Sequence, residues 1–256
     1  FGTDTCRALA DFLQTDRTPD RICVVDRSAW EKLLPYLRGY TTEEGENRIL
    51  FEDPVTSVEV PYTSLLTAAV IDGILARYPF LKSGEIGKSV MGKPISYLEI
   101  GNGEKEVFYN ASFHANESIT TPVLLKFAEE YAQAYEKGTA LYGVPAAELF
   151  EEYRLFLVPL VNPDGVDLVN GLLTDGGYYR RAQQIASDYP AIPFPAGWKA
   201  NIEGIDLNLQ FPAGWENAKR IKYAQGYTKP APRDYVGEGT PDGARERGGV
   251  RVYQIT

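Results

Sequence analysis

The sequence predicts an α/β fold, in which β-strands alternate with helices from about residue 60 onward. Two observations carry this prediction. Residues 153–161 form an apolar run, the pattern of a strand buried on both faces. Residues 63–78 and 121–135 instead carry apolar side chains at helical spacing.

The first 57 residues read differently from the rest. Residues 21–25 and 48–51 have the look of short strands. Residues 28–37 read as a short helix, with Ser28 as N-cap and Glu31 at the capping-box spacing. This segment, 1–57, is expected to be an N-terminal extension without an assignable role. A second unit starts near Pro61. Its first helix, 63–78, places Leu65, Leu66, Ala69, Val70, Ile74 and Leu75 on one apolar face and stops at Pro79. Residues 85–89, 95–100 and 106–112 read as strands. Gly101-Asn102-Gly103 is expected to be a hairpin turn between the last two. Helix 121–135 has Pro122 in its first turn and Gly138 just past its end. The run 153–161 ends in Asn162-Pro163-Asp164-Gly165, a strong turn signal that makes Asp164 a turn acceptor. A helix over 178–189, a proline-rich loop over 190–195 and a short strand or loop over 206–211 come next.

The chain has 256 residues and a net charge of -9. A nucleic-acid partner calls for a basic footprint, and none is visible. No stretch reaches the length of a membrane span. Cys6 and Cys23 are too few for a disulfide framework. No Gly-x-Ser-x-Gly is present, which removes an α/β esterase. The most restrictive count is histidine: there is one, His114. Any triad or zinc site would have to use it.

His114 stands in Phe113-His114-Ala115-Asn116-Glu117, at the end of a predicted buried strand. Ligands bind at strand ends in α/β sheets. An imidazole and a carboxylate three residues apart can reach one Zn²⁺ from a single turn of chain. The plain alternative is a surface His beside a Glu that favours a helix start. The same chain goes on to Asn162-Pro163-Asp164-Gly165, Trp198-Lys199-Ala200-Asn201 and Gly204-Ile205-Asp206-Leu207-Asn208-Leu209-Gln210-Phe211.

In that order these motifs resemble the zinc carboxypeptidases of the carboxypeptidase A superfamily, over about residues 60–239. Within it, Ser112 to Pro122, Phe194 to Asn201 and Asp206 to Trp215 are most similar to the bacterial γ-D-glutamyl-diamino acid endopeptidases, which cut cell-wall peptides. The resemblance implies a mixed β-sheet flanked by helices, with 58–256 as a partial catalytic domain. It also implies one Zn²⁺, a peptidoglycan peptide as substrate, and His114 and Glu117 as two metal ligands. Lys199 falls where relatives carry an Arg that polarises the scissile carbonyl; a Lys supplies the charge without the guanidinium fork. Asn208 matches an Asn that holds the substrate. The adjacent Arg that grips a free C-terminal carboxylate is Leu209 here, which argues against a plain exopeptidase.

The resemblance also implies a second zinc His, a general-base Glu and a Tyr, all expected later than residue 256. The family pattern decays after Gly239, and Ser118 stands where relatives often have Trp. The expectation is a domain incomplete at its C-terminus, lacking the third ligand and therefore inactive alone. The competing expectation is a non-catalytic module that binds cell-wall peptide.

Overall fold

The computed structural model describes residues 54–239, together with the backbone pairing of Tyr40–Thr41 with Asn47–Arg48. The strands expected at 21–25 and 48–51 and the helix at 28–37 lie outside the described residues, apart from the pairing at Arg48. So does everything after residue 239. The chain divides into two compact units, Phe1–Pro54 and Val55–Thr256.

At the centre of the second unit is a four-stranded sheet built from β1 (Lys82–Lys88), β2 (Pro94–Ile100), β3 (Lys105–Asn110) and β4 (Tyr153–Val158), in the order β1-β2-β4-β3. β1 and β2 form an antiparallel hairpin, β2 pairs antiparallel with β4, and β4 pairs parallel with β3. The sheet is therefore mixed. The helices around it are α1 (Ser64–Arg77), α2 (Thr120–Glu136), α3 (Ala146–Glu152), α4 (Pro163–Val169), α5 (Gly176–Ser187) and α6 (Trp215–Ala224). No helix among the described residues is long and apolar enough to cross a membrane.

The apolar run holds the central position expected of it. β4 lies between two strands, and Leu157, Val158, Leu160 and Val161 are buried. That position overturns the hairpin expected at residues 101–103. β2 and β3 do not pair, because β4 is inserted between them. The two glycines serve a close crossing instead. A Cβ on Gly101 would fall inside the Tyr153 carbonyl oxygen, and one on Gly103 would strike the Glu152–Tyr153 peptide. Gly101 also sits at φ +95°, open only to glycine.

α1 begins as expected, with the Thr63 hydroxyl accepting from the Leu66 amide. Its buried stripe is rotated from the predicted one. Thr67, Val70, Ile71, Ile74 and Arg77 face inward, while Leu65 is exposed. A buried ion pair accounts for the inward Arg77: its guanidinium meets Glu129 of α2 at 3.3 Å. Glu129 also accepts the backbone amides of Val55 and Thr56.

Asn162-Pro163-Asp164-Gly165 is not a bare turn but the start of α4. Asn162 is the N-cap and accepts from the Gly165 amide, with Pro163 at the first helical position. Asp164 is a buried acceptor rather than a turn acceptor. It takes the Ser89 hydroxyl and the Met91 amide, and Lys93 lies 3.2 Å away. The segment expected as a strand or loop at 206–211 contains a 3₁₀ turn, Leu207–Leu209, capped by Asp206.

Candidate metal and peptide site

The site forms beyond the carboxyl ends of the parallel strands β3 and β4, the edge where open α/β sheets bind ligands. Past Asn110 the chain continues beside β4, with Ala111 donating to Val158 and Val161 donating back to Ala111. Ser112 then turns sharply, at φ +49°, a conformation costly for a residue with a side chain. Hydroxyls hold it there. The Ser112 amide donates to Thr120 Oγ1 at 2.8 Å, and its own hydroxyl meets that of Thr121 at 2.6 Å. The turn delivers His114 into a 3₁₀ turn over Ala115–Glu117, which lays His114 and Glu117 side by side.

Both imidazole nitrogens are engaged. Nδ1 lies 3.0 Å from Glu117 Oε2, and Nε2 lies 3.0 Å from Asp206 Oδ1. Lys199 Nζ donates to the other Glu117 oxygen at 3.0 Å. Asp206 is buried and fully used: Oδ1 also accepts the Asn208 amide, and Oδ2 accepts the Asp234 amide. Asn208, on the same 3₁₀ turn, thus shares a carboxylate oxygen with His114 and presents its side chain at an exposed position. Behind this surface lie buried Trp198, Ala200 and Ile202 with Ala115. Phe113 and Phe211 stack at 6.1 Å beside it.

Three of the four residues singled out in the sequence, His114, Glu117 and Lys199, meet through their side chains, while Asn208 is joined to them only by its backbone amide on Asp206. Glu117 and Lys199 are 82 positions apart, and the fold alone joins them. Asp206 lies within one of the sequence motifs, but sequence reasoning assigns it no role. Its signal was an acid capping a short apolar segment, a pattern that local capping fully explains.

The charges shift the protonation equilibria. The hydrogen bond to Asp206 is the main cause that raises the His114 pKa above its ordinary value; burial opposes it, and Glu117 adds to it. Burial works to raise the Glu117 pKa, but the bonds from Lys199 and His114 outweigh burial and lower it.

The donors fit zinc in part. An imidazole nitrogen and a carboxylate oxygen lie 3.0 Å apart as direct hydrogen-bond partners, and the other ring nitrogen rests on a carboxylate, the outer arrangement that orients metal-binding histidines. Among the described residues, no group of three or more His, Cys, Asp or Glu is placed to hold a metal ion.

The zinc carboxypeptidase family profile matches residues 67–240, about two thirds of the chain. The γ-D-glutamyl-L-diamino acid endopeptidase 1 of Lysinibacillus sphaericus is 46% identical over 162 residues, covering 63% of this chain and 39% of that protein. The uncharacterized protein YqgT of Bacillus subtilis is 44% identical over 231 residues, covering 83% of this chain and 59% of that one. The chain thus spans less than two thirds of either relative. Among solved structures, thrombin activatable fibrinolysis inhibitor aligns over 62% of this chain and 37% of its own, at 19% identity and a TM-score of 0.46.

Proposed function

Because the chain belongs to the zinc carboxypeptidase family, we propose that it serves a zinc peptidase that hydrolyses γ-D-glutamyl-diamino acid bonds in cell-wall peptides. The observation that carries the reading is one carboxylate shared by His114 and Lys199 at the sheet's ligand-binding end. The substrate class is supported by the name of the Lysinibacillus relative and by Leu209, which leaves no guanidinium fork for a free C-terminal carboxylate.

In this reading His114 Nδ1 and Glu117 hold the ion. Bound zinc would supply Lewis-acid polarisation of the peptide carbonyl and of water. The hydrogen bond to Asp206 would keep the proton of neutral His114 on Nε2, so that Nδ1, which contacts Glu117 here, would be released for the ion. Lys199 stands over the same carboxylate, as a positive charge for the carbonyl oxygen as it becomes negative. Asn208 offers an amide for the substrate beside it.

The 256 residues contain one His, so a second imidazole ligand has to come from outside them. The proposal is therefore that this chain alone does not turn over. The alternative, a non-catalytic module binding cell-wall peptide, makes no use of zinc.

The test pairs the 256-residue chain with the product of the gene read past the codon for Thr256. Both are assayed with zinc on a γ-D-glutamyl-diaminopimelate peptide and on a free C-terminal dipeptide. Zinc-dependent cleavage of the first peptide by the longer protein alone is the expected result. A stop codon directly after Thr256, with peptide binding unaffected by chelation, would favour the module. Cleavage of the dipeptide alone would sink the substrate assignment.

A further inference from the structure

We propose that Asn162 is the positioning residue of this site, holding the turns of His114 and Lys199 in register through a single side-chain amide. The inference rests on the zinc-peptidase reading for its purpose, but its geometry stands in the fold itself. Asn162 is buried, at 2% exposure. Its Nδ2 donates to the carbonyls of Ala200 at 2.9 Å, Phe113 at 3.3 Å and Lys199 at 3.4 Å. Its Oδ1 accepts the Gly165 amide. The orientation is unambiguous, because the opposite one would set an oxygen against three carbonyls and an NH₂ against an N–H.

These contacts lie next to the chemistry. Phe113 precedes His114, and Lys199 is the cation that meets Glu117. The backbone closes the same triangle, with Asn162 donating to Ser112 and Ala115 donating to Lys199. Packing gives a second, independent sign. A Cβ on Gly165 would lie 2.7 Å from Asn162 Nδ2, 2.8 Å from Ala115 Cβ and 2.8 Å from the Ala200 carbonyl oxygen. The three turns therefore meet at closest approach where α4 begins. Neither His114 nor Lys199 touches the Asn162 side chain through its own, so the amide acts on both through backbone carbonyls.

Asn162→Asp removes the donor and keeps both the volume and the acceptor for Gly165. Gly165→Ala wedges the same turns apart without changing any hydrogen-bonding group. Asn170→Asp serves as control, since it removes a side-chain donor at the other end of α4, where Asn170 bonds the Tyr62 carbonyl. The single His makes its ring nitrogens an unambiguous NMR probe, read first without metal and then during titration with Zn²⁺ alone.

In Asn162→Asp we expect ring signals altered before any metal is added, and Zn²⁺ affinity lower by about tenfold or more, the usual effect of disturbing a metal site's supporting groups. Asn170→Asp should leave both readings as in the parent, even if its melting temperature falls. A folded Asn162→Asp with parental ring signals and parental Zn²⁺ affinity would overturn the proposal. Loss of fold in both Asn162→Asp and Gly165→Ala would also overturn it, by assigning the hub to the whole fold. If the parent's ring ignores Zn²⁺, the zinc reading fails, and the metal-free signals of the variants still decide the positioning claim.

Discussion

Replacing Asp206 by Asn tests the electrostatics of the site most directly. The side chain keeps its size, but the buried carboxylate loses its charge and one acceptor. Its Oδ1 serves His114 Nε2 at 3.0 Å and the Asn208 amide at 3.2 Å, while Oδ2 serves the Asp234 amide at 3.1 Å. If the new oxygen stays on the first two, the new NH₂ faces the Asp234 N–H, donor against donor. Losing a charge-assisted bond costs about 1.5–3 kcal/mol and stranding a buried donor about 1–3 kcal/mol, so a total of about 2.5–6 kcal/mol is expected. The loss should depend on pH. The His114 pKa is raised in the folded chain, chiefly by Asp206, above an unfolded value of about 6.5. That stabilisation is fully present below the unfolded value and is lost as pH rises through the folded one. The variant should therefore fall furthest behind the parent in acid, and the gap should narrow in alkali. Urea unfolding followed by tryptophan fluorescence at several pH values measures it. Equal stability at all pH values, or a gap that widens with pH, would refute the argument.

Three further outcomes are expected. Gly101→Ala should leave the chain misfolded or insoluble, because the added carbon falls on the Tyr153 carbonyl at a φ of +95°; a normal circular dichroism spectrum and melt would contradict the crossing. Glu129→Ala strips the carboxylate from Arg77, whose side chain is 5% exposed, and should cost about 3–5 kcal/mol in denaturant unfolding, whereas a loss no larger than that of a surface pair would show that the charge finds water. Tyr62, Tyr78, Tyr131 and Tyr235 have pKa values pushed up to about 12, chiefly by burial, so stability should hold up to the unfolded tyrosine value of about 10 and fall as pH climbs toward 12; four tyrosines ionising at their ordinary value in the folded chain, seen by ultraviolet titration, would contradict their burial.

Much of the fold was legible because its signals are local. The helical spacing of residues 63–78 marks α1, and Pro122 in the first turn marks the start of α2, both through chemistry contained within a few turns of chain. The apolar run marked its own central place as a strand paired on both edges, although Arg154 and Phe156 stay half-exposed on one face. The order of the strands was not legible. Gly101-Asn102-Gly103 satisfies the local grammar of a hairpin, and only the arrival of β4, some fifty residues later, turns those glycines into a crossing. The inward stripe of α1 was misplaced for a related reason: Arg77 is buried by a carboxylate on another helix, which no periodicity within α1 can announce.

The acids of the site make the limit sharper. Asp164, Asp167 and Asp206 are alike in sequence, each a short acid in or beside a turn, where a local capping role suffices to explain it. In the fold all three are buried, and a buried carboxylate needs a partner. Asp164 and Asp167 find Lys93, at 3.2 and 2.6 Å, and so pin α4 to the β1–β2 hairpin. Asp206 finds His114. The Lys93 side chain only donates and has no second site to prepare, so the first two carboxylates hold structure. An imidazole has a second nitrogen, and fixing one of them decides what the other can accept. The difference between a structural acid and one that prepares a site therefore lies in the partner, 92 positions away in sequence for Asp206. The ordered family motifs contain both halves of the pair, yet neither they nor periodicity single out Asp206, because its partner is brought to it only by the fold.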